Sequence, residues 1–365
     1  MLDTLLAKLT GRLSAAAEST ALPMMDGPLK PNRRLDDAQP IGAALPDCDD
    51  LCRAPEGGLL VSSGTAIQAL HGANLEQRSV WFECEGTVSA LAAAGSAVYA
   101  GIAGVGVVRI ENGSIAARLE AVDGQPLRCV TAITLLADGR IAIAEGSAHN
   151  LPQGWSRDLL ERRASGRVII CRSDLSSPAT LLSGLAWPTG LAATGATLWY
   201  SESWRHRLQE VPLSGGSPRT VLHNLPGYPA RIAADGNGGW WLAVFAVRTQ
   251  LLEFVLRERA YREEMLASVD PRYWIAPSLS ATGHYLEPLQ GGSIKKLGIV
   301  KPWAPPRSYG LVLRLSASGE MLDSLHSRAG GIHHGITAVQ AHGDALIALS
   351  RGSARVLLCH TGAPP

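Results

Sequence analysis

No run of lysine or arginine occurs in this chain, and only 18% of its residues are charged. With 33 basic against 32 acidic residues the net charge is +1, so no long-range field draws in nucleic acid or an anionic membrane. No apolar stretch approaches the roughly 18 residues of a spanning helix. The N-terminal MLDTLLAKLTGRLSAAAEST places leucines at helical spacing, but Asp3, Lys8 and Arg12 break any signal-peptide core. It reads as an amphipathic helix that docks on the protein body rather than on a membrane surface, and the simplest location is cytoplasmic. CxxC pairs are missing too. Cys48 and Cys52 are four apart, Cys84 follows, and no fourth ligand is evident, so buried free thiols are expected rather than zinc. HExxH and GxSxG are absent. GVGVV (104–108) lies in a hairpin, without the strand-to-helix context of a dinucleotide loop.

What the chain does have is a hydrophobic fraction of 46%, ample length for a large core, and a repeat. A short apolar strand, a Gly- or Asp-containing turn and a second apolar strand recur every 40 to 50 residues. Copies are DLCRAPEGGLLVSSGTAIQAL (50–70), VSALAAAGSAVYAGIAGVGVVRIENG (88–113) and VTAITLLADGRIAIAEGS (130–147). TGLAATGATLWYSESWRHRLQEVPLSGG (189–216), ARIAADGNGGWWLAVF (230–245) and ITAVQAHGDALIALSRGSARVLLCHTG (336–362) complete them. The turn elements suit tight hairpins with positive φ. Six such copies predict an all-β chain, a six-bladed β-propeller over 45–365, preceded by a helical and extended arm over 1–44. The large gap between the fifth and sixth copies holds LLEFVLRERAYREEMLASVD (251–270), at helical spacing, and then a stretch rich in proline, glycine and aromatics. This 251–307 insertion is expected over one face, either lidding a pocket or packing on the rim.

LPMMDGPLKPNRRLDDA, SAHNLPQGWSRDLLERRASGR, SGRVIICRSDLSSPATLLSGLAWPTGLA, LPGYPARI and SYGLVLRLSASGEMLDSLH resemble the strictosidine synthase-like family over about 25–362. The resemblance implies a six-bladed propeller related to paraoxonases and gluconolactonases. It also implies an activity on a small organic molecule at the channel mouth, hydrolase-like on a lactone or ester. In the hydrolase branches calcium sits in the central channel, held by acidic and asparagine side chains at the starts of the innermost strands. At those places this chain has Thr131, Thr189 (in Pro188-Thr189-Gly190) and Ala230-Arg231 (in GYPARI); only Asp49 or Asp50, in CDDL, keeps an acid. Calcium is therefore disfavoured, and no cofactor is expected: a dication beside a guanidinium meets like-charge repulsion that the lost ligands do not offset. Thr337 or a neighbour stands where the plant synthase of this family carries its catalytic glutamate, so that condensation is not supported either.

Arg231 is instead expected at the axis. There it pairs with Asp49 or Asp50 as a structural plug, or binds a substrate carboxylate or phosphate. That second role would suit a metal-independent biosynthetic enzyme, catalysing a condensation or isomerisation. A non-catalytic small-molecule-binding propeller is the further alternative. His333 and His334, in GGIHHGIT, are candidate bases near the same mouth, with at most one facing the pocket. Tyr228 is a candidate donor to an oxyanion, or packs on Pro229. His149 and Trp155 are candidate mouth residues. Glu145 and Glu202, ending matching second strands, are read as structural acids that bond a neighbouring strand or loop. The sequence leaves the oligomeric state open.

Overall fold

The computed structural model describes residues 22–280, 295–296, 299–300 and 307–361. The helix expected at the N-terminus and part of the insertion lie outside them. Among the described residues six four-stranded antiparallel sheets form the ring of a β-propeller. Blade 1 is Cys48–Arg53, Leu59–Ser63, Ala66–His71 and Gln77–Glu83; blade 2 is Val88–Ala94, Ala97–Ile102, Gly106–Glu111 and Ser114–Leu119. Blade 3 is Val130–Leu135, Ile141–Glu145, Gly166–Cys171 and Ala179–Leu185; blade 4 is Pro188–Thr194, Thr197–Glu202, Arg207–Pro212 and Arg219–Leu222. Blade 5 is Gly227–Ala234, Trp240–Val247, Gly310–Leu315 and Met321–Ser327. Blade 6 is Ile336–His342, Ala345–Ser350 and Arg355–His360, with Gln39–Ile41 as its outer strand.

That last pairing closes the ring. Gln39, Pro40 and Ile41 lie opposite Leu358, Leu357 and Val356, so part of the arm completes the final blade. Proline is tolerated there because an edge strand has a solvent side that needs no donor. First and second strands are almost wholly buried, whereas the outer strand Gln77–Glu83 is largely exposed. The dry surface thus lies between blades and around the axis, where apolar burial contributes most. All six cysteines are free thiols, five of them buried and Cys52 half-buried. No described helix is long and apolar enough to cross a membrane.

The excursion, expected between the fifth and sixth blades, lies within the fifth by the sheet order. It leaves from the second strand of blade 5 and returns as the third. Its amphipathic segment is two helices, Gln250–Val255 and Arg259–Ser268. Thr249 caps the first by accepting from the backbone N–H of Leu252. Further on, Leu279 reaches the channel mouth. A Cβ built on Gly352, in blade 6, would stand 2.1 Å from the Leu279 carbonyl oxygen, so only glycine admits this approach. Gly352→Ala is expected to push the Leu279 segment off the mouth and to cost about 1–3 kcal/mol, as overpacking does. Urea unfolding checks this against Gly330→Ala, whose added methyl meets nothing within 4 Å.

Candidate functional site

Every blade carries a register shift at the same level of its inner hairpin. The shifts fall between Cys48 and Leu51, Val88 and Ala90, and Val130 and Ala132. They recur between Pro188 and Leu191, Pro229 and Ile232, and Ile336 and Ala338. A bulge leaves residues unpaired and re-aims them. The residues so released are Asp49 and Asp50, Ser89, Thr131, Thr189, Arg231 and Thr337, one set from each blade, and they meet around the axis.

Hydroxyls stitch this ring from blade to blade. Ser89 Oγ donates to the carbonyl of Val130 (2.7 Å), Thr131 Oγ1 to that of Pro188 (2.6 Å) and Ser201 Oγ to that of Ala230 (2.9 Å). The backbone N–H of Leu91 donates to Asp50 Oδ2 at 2.8 Å. Thr189 Oγ1 shares a hydrogen bond of 2.6 Å with Ser203 Oγ. The hydroxyl of Thr337 is buried and has no partner.

Arg231 spans the axis. Nη1 donates to the carbonyls of Asp49 (2.8 Å) and Thr337 (3.2 Å) and to Asp49 Oδ1 (3.3 Å); Nη2 donates to the carbonyl of Ser89. Nε lies 3.0 Å from Asp50 Oδ2 as an ion pair, off the line of a hydrogen bond. One guanidinium therefore joins blade 5 to blades 1, 2 and 6. Arg351 Nη1 holds the other oxygen of Asp49 at 3.2 Å, so two aspartates face two arginines. Burial pushes the Asp50 carboxyl up to about 6, against the pull of Arg231 and the Leu91 N–H.

This plug divides the channel. Above it lies a cavity of about 40 Å³, lined by Asp49, Thr131, Trp155, Trp187, Phe245 and Leu279 among others. That volume has room for about two or three water molecules. Below it a funnel of about 420 Å³ opens to the other face, walled largely by alanines and by Asp50, Arg53 and Gln340.

No family model matches the chain. Curated relatives do. Adipocyte plasma membrane-associated protein from Danio rerio is 24% identical over 203 residues, 51% of this chain and 49% of that protein. Strictosidine synthase-like 6 from Arabidopsis thaliana is 30% identical over 128 residues, 34% of each chain. Its homologues thus include a strictosidine synthase-like protein. The chain spans about half the length, or less, of these relatives. Two solved propellers share its fold: regucalcin from Agrobacterium tumefaciens (TM-score 0.55, 12% identity, 89% of this chain and 92% of that one) and a gluconolactonase from Xanthomonas campestris (TM-score 0.57, 13% identity, 89% and 91%).

The ring of this chain brings together Arg231, Asp49, Thr131, Thr189 and Thr337, with Trp155 above them from the helix Trp155–Glu161. Asp50 points to the lower funnel. Other expected residues stand apart. His333 and His334 are 3% and 1% exposed and line neither cavity. His333 Nδ1 bonds Ser353 Oγ at 2.9 Å; His334 bonds Ser308 Oγ and the carbonyl of Arg328, both at 2.8 Å. The loop entering blade 6 turns both rings inward, and burial lowers the pKa of His333. Tyr228 is fully buried behind the mouth, against Trp204, His206 and Phe245, and its hydroxyl has no partner. Burial raises its pKa far from any acid–base role. His149 is exposed on the loop of blade 3, away from the cavity.

Ser89 was not singled out from sequence, although VSAL, VTAI, PTGL and ITAV place a hydroxyl at one shared position. Arg351 and Leu279 carry no periodic signal, since a turn and the insertion deliver them. The oxygens that would suit a hard cation are here turned onto N–H donors of Arg231. Among the described residues no group of three or more His, Cys, Asp or Glu side chains is arranged to hold a metal ion.

Proposed function

We propose that this propeller binds a small organic molecule at the channel mouth and works without calcium, the Arg231 guanidinium taking the metal's place at the axis. The observation that carries this reading is the set of protein oxygens on Arg231: three carbonyls and two carboxylates from three other blades. A dication there would displace or oppose that charge. The same contacts argue against an anionic substrate held by Arg231, because its donors already serve the protein.

The mouth offers an apolar wall of Trp155, Trp187 and Phe245, with Asp49, Arg351 and the unpartnered Thr337 hydroxyl at its floor. This composition suits a ligand with an aromatic or aliphatic body and one polar end. Such a ligand displaces Leu279 on entering. A calcium-dependent lactone or ester hydrolase is the reading this site favours less.

Calcium titration monitored by melting temperature separates the two. A ligand that binds the folded but not the unfolded chain stabilises it by RT ln(1 + [L]/Kd). No shift is expected up to millimolar calcium; a saturable rise of several degrees would overturn the proposal. A lactone and ester panel run with calcium and with a chelator gives the matching readout, with no chelator-sensitive turnover expected.

A further inference from the structure

A second, larger cavity lies beside the mouth, on the same face, beyond the rings of Trp204 and Tyr228. It is a cleft of about 820 Å³. Six arginines line it, Arg162, Arg163, Arg205, Arg207, Arg248 and Arg257, with Glu253 as its one acidic lining residue. These arginines come from the end of the helix Trp155–Glu161, the tight turn of blade 4 and the start of the insertion.

Several are held in place by acids behind them. Glu202, fully buried, takes Arg205 Nη1 at 2.6 Å and Arg207 Nε at 2.7 Å, so one carboxylate positions two cations. Arg248 is fixed by Glu253 (2.8 Å) and Asn224 (2.7 Å), and Arg163 by Glu161 (2.7 Å). The exposed side chain of Arg257 makes no hydrogen bond or ion pair among the described residues. His206, in the same wall, stays neutral: burial and Arg248 lower its pKa to about 3. The cleft therefore keeps an excess of positive charge on pre-organised guanidinium forks, the geometry that matches phosphate oxygens.

Two residues of the cleft wall end short helical segments. Arg162 (φ 53°) and His206 (φ 49°), neither of them glycine, both sit in the left-handed region at the edge of the cleft. They are the left-handed C-caps of the helix Trp155–Glu161 and of the short turn Ser203–Arg205, a common way for a helix to end. Trp204 supplies an aromatic ring at the wall facing the channel.

We propose that this cleft is a binding site for a phosphorylated small molecule, separate from the channel mouth. Pyrophosphate is the probe, added to the full-length protein with sodium chloride controls at matched ionic strength. Pyrophosphate is expected to raise the melting temperature saturably, and citrate to bind at least about tenfold more weakly, because its carboxylates carry fewer acceptor oxygens per charge centre. In Arg163→Gln/Arg257→Gln, and in Arg257→Gln alone, both at exposed positions, the unliganded melting temperature is expected to stay unchanged. Pyrophosphate affinity should fall at least about tenfold in the double variant, one such step being about 1.4 kcal/mol. No shift beyond the salt control, equal affinity for citrate, or undiminished affinity in the variants would overturn the proposal. The calcium titration reads the channel alone, so the two sites fail or stand separately.

Discussion

Arg231→Met is expected to lower stability at pH 7 by about 3–5 kcal/mol, the usual cost of removing one partner from a buried ion pair. Methionine fills much of the volume, so the loss is electrostatic. Asp50, 3% exposed, loses the cation that favours its charged form, and the carbonyls of Asp49, Ser89 and Thr337 lose their donor. Chemical denaturation measures the difference, and the pH profile identifies its source. The folded pKa of Asp50 lies at about 6, above its ordinary 3.8. A raised carboxyl contributes stability that is full below pH 3.8 and is lost as pH rises through about 6. Without Arg231 the charged form is less favoured still. The penalty of the variant should therefore be small at pH 4 and grow above pH 6. A penalty independent of pH would assign it to packing. Asp50→Asn in the Arg231→Met background should recover part of the loss at pH 7, because the buried carboxyl that must ionise or take up a proton there goes with it.

The propeller was legible because the inner two strands of each blade are apolar on both faces and separated by turn residues that tolerate positive φ. The outer strands were not. Gln77–Glu83 faces solvent over most of its length, and solvent imposes no alternation on it. Gln39–Ile41 is three residues long and contains proline, so nothing local marks it as the strand that closes the ring. Gly310–Leu315 belongs to blade 5 only through its pairing with Trp240–Val247 across the whole insertion. The axis was legible for a different reason. The family resemblance marks the starts of the innermost strands, and Arg231, Asp49, Thr131, Thr189 and Thr337 follow from it. Side chains that depend on loop direction did not follow. His333 and His334 sit at the expected place in the chain, yet their loop aims them at Ser308, Ser353 and Arg328 instead of the channel.

The other large effect is expected at Glu145, far from the cavity. This carboxylate is fully buried at the end of the second strand of blade 3. Oε1 accepts the backbone N–H of Arg128 (2.8 Å) and Oε2 accepts Arg167 Nε (2.6 Å). Arg167, 7% exposed, donates onward to the carbonyls of Val122 (3.1 Å) and Gln125 (3.4 Å). Glu202 repeats the design one blade on, accepting from the N–H of Ala186 (2.9 Å) and from Arg207. Each acid thus ties the loop that enters its blade to the third strand of that blade. Glu145→Gln keeps the shape but removes the charge and places an amide donor among donors. Arg167 is left buried and unpaired, at a cost of about 3–5 kcal/mol. Glu263→Gln is the control, since Glu263 and Arg259 are 60% and 81% exposed and such pairs contribute about 0–1 kcal/mol. Urea midpoints for the two variants should differ accordingly. Equal midpoints would mean that blade 3 relaxes enough to let water reach Arg167, and that the acid at this position is a convenience of the strand end rather than a brace between loop and sheet.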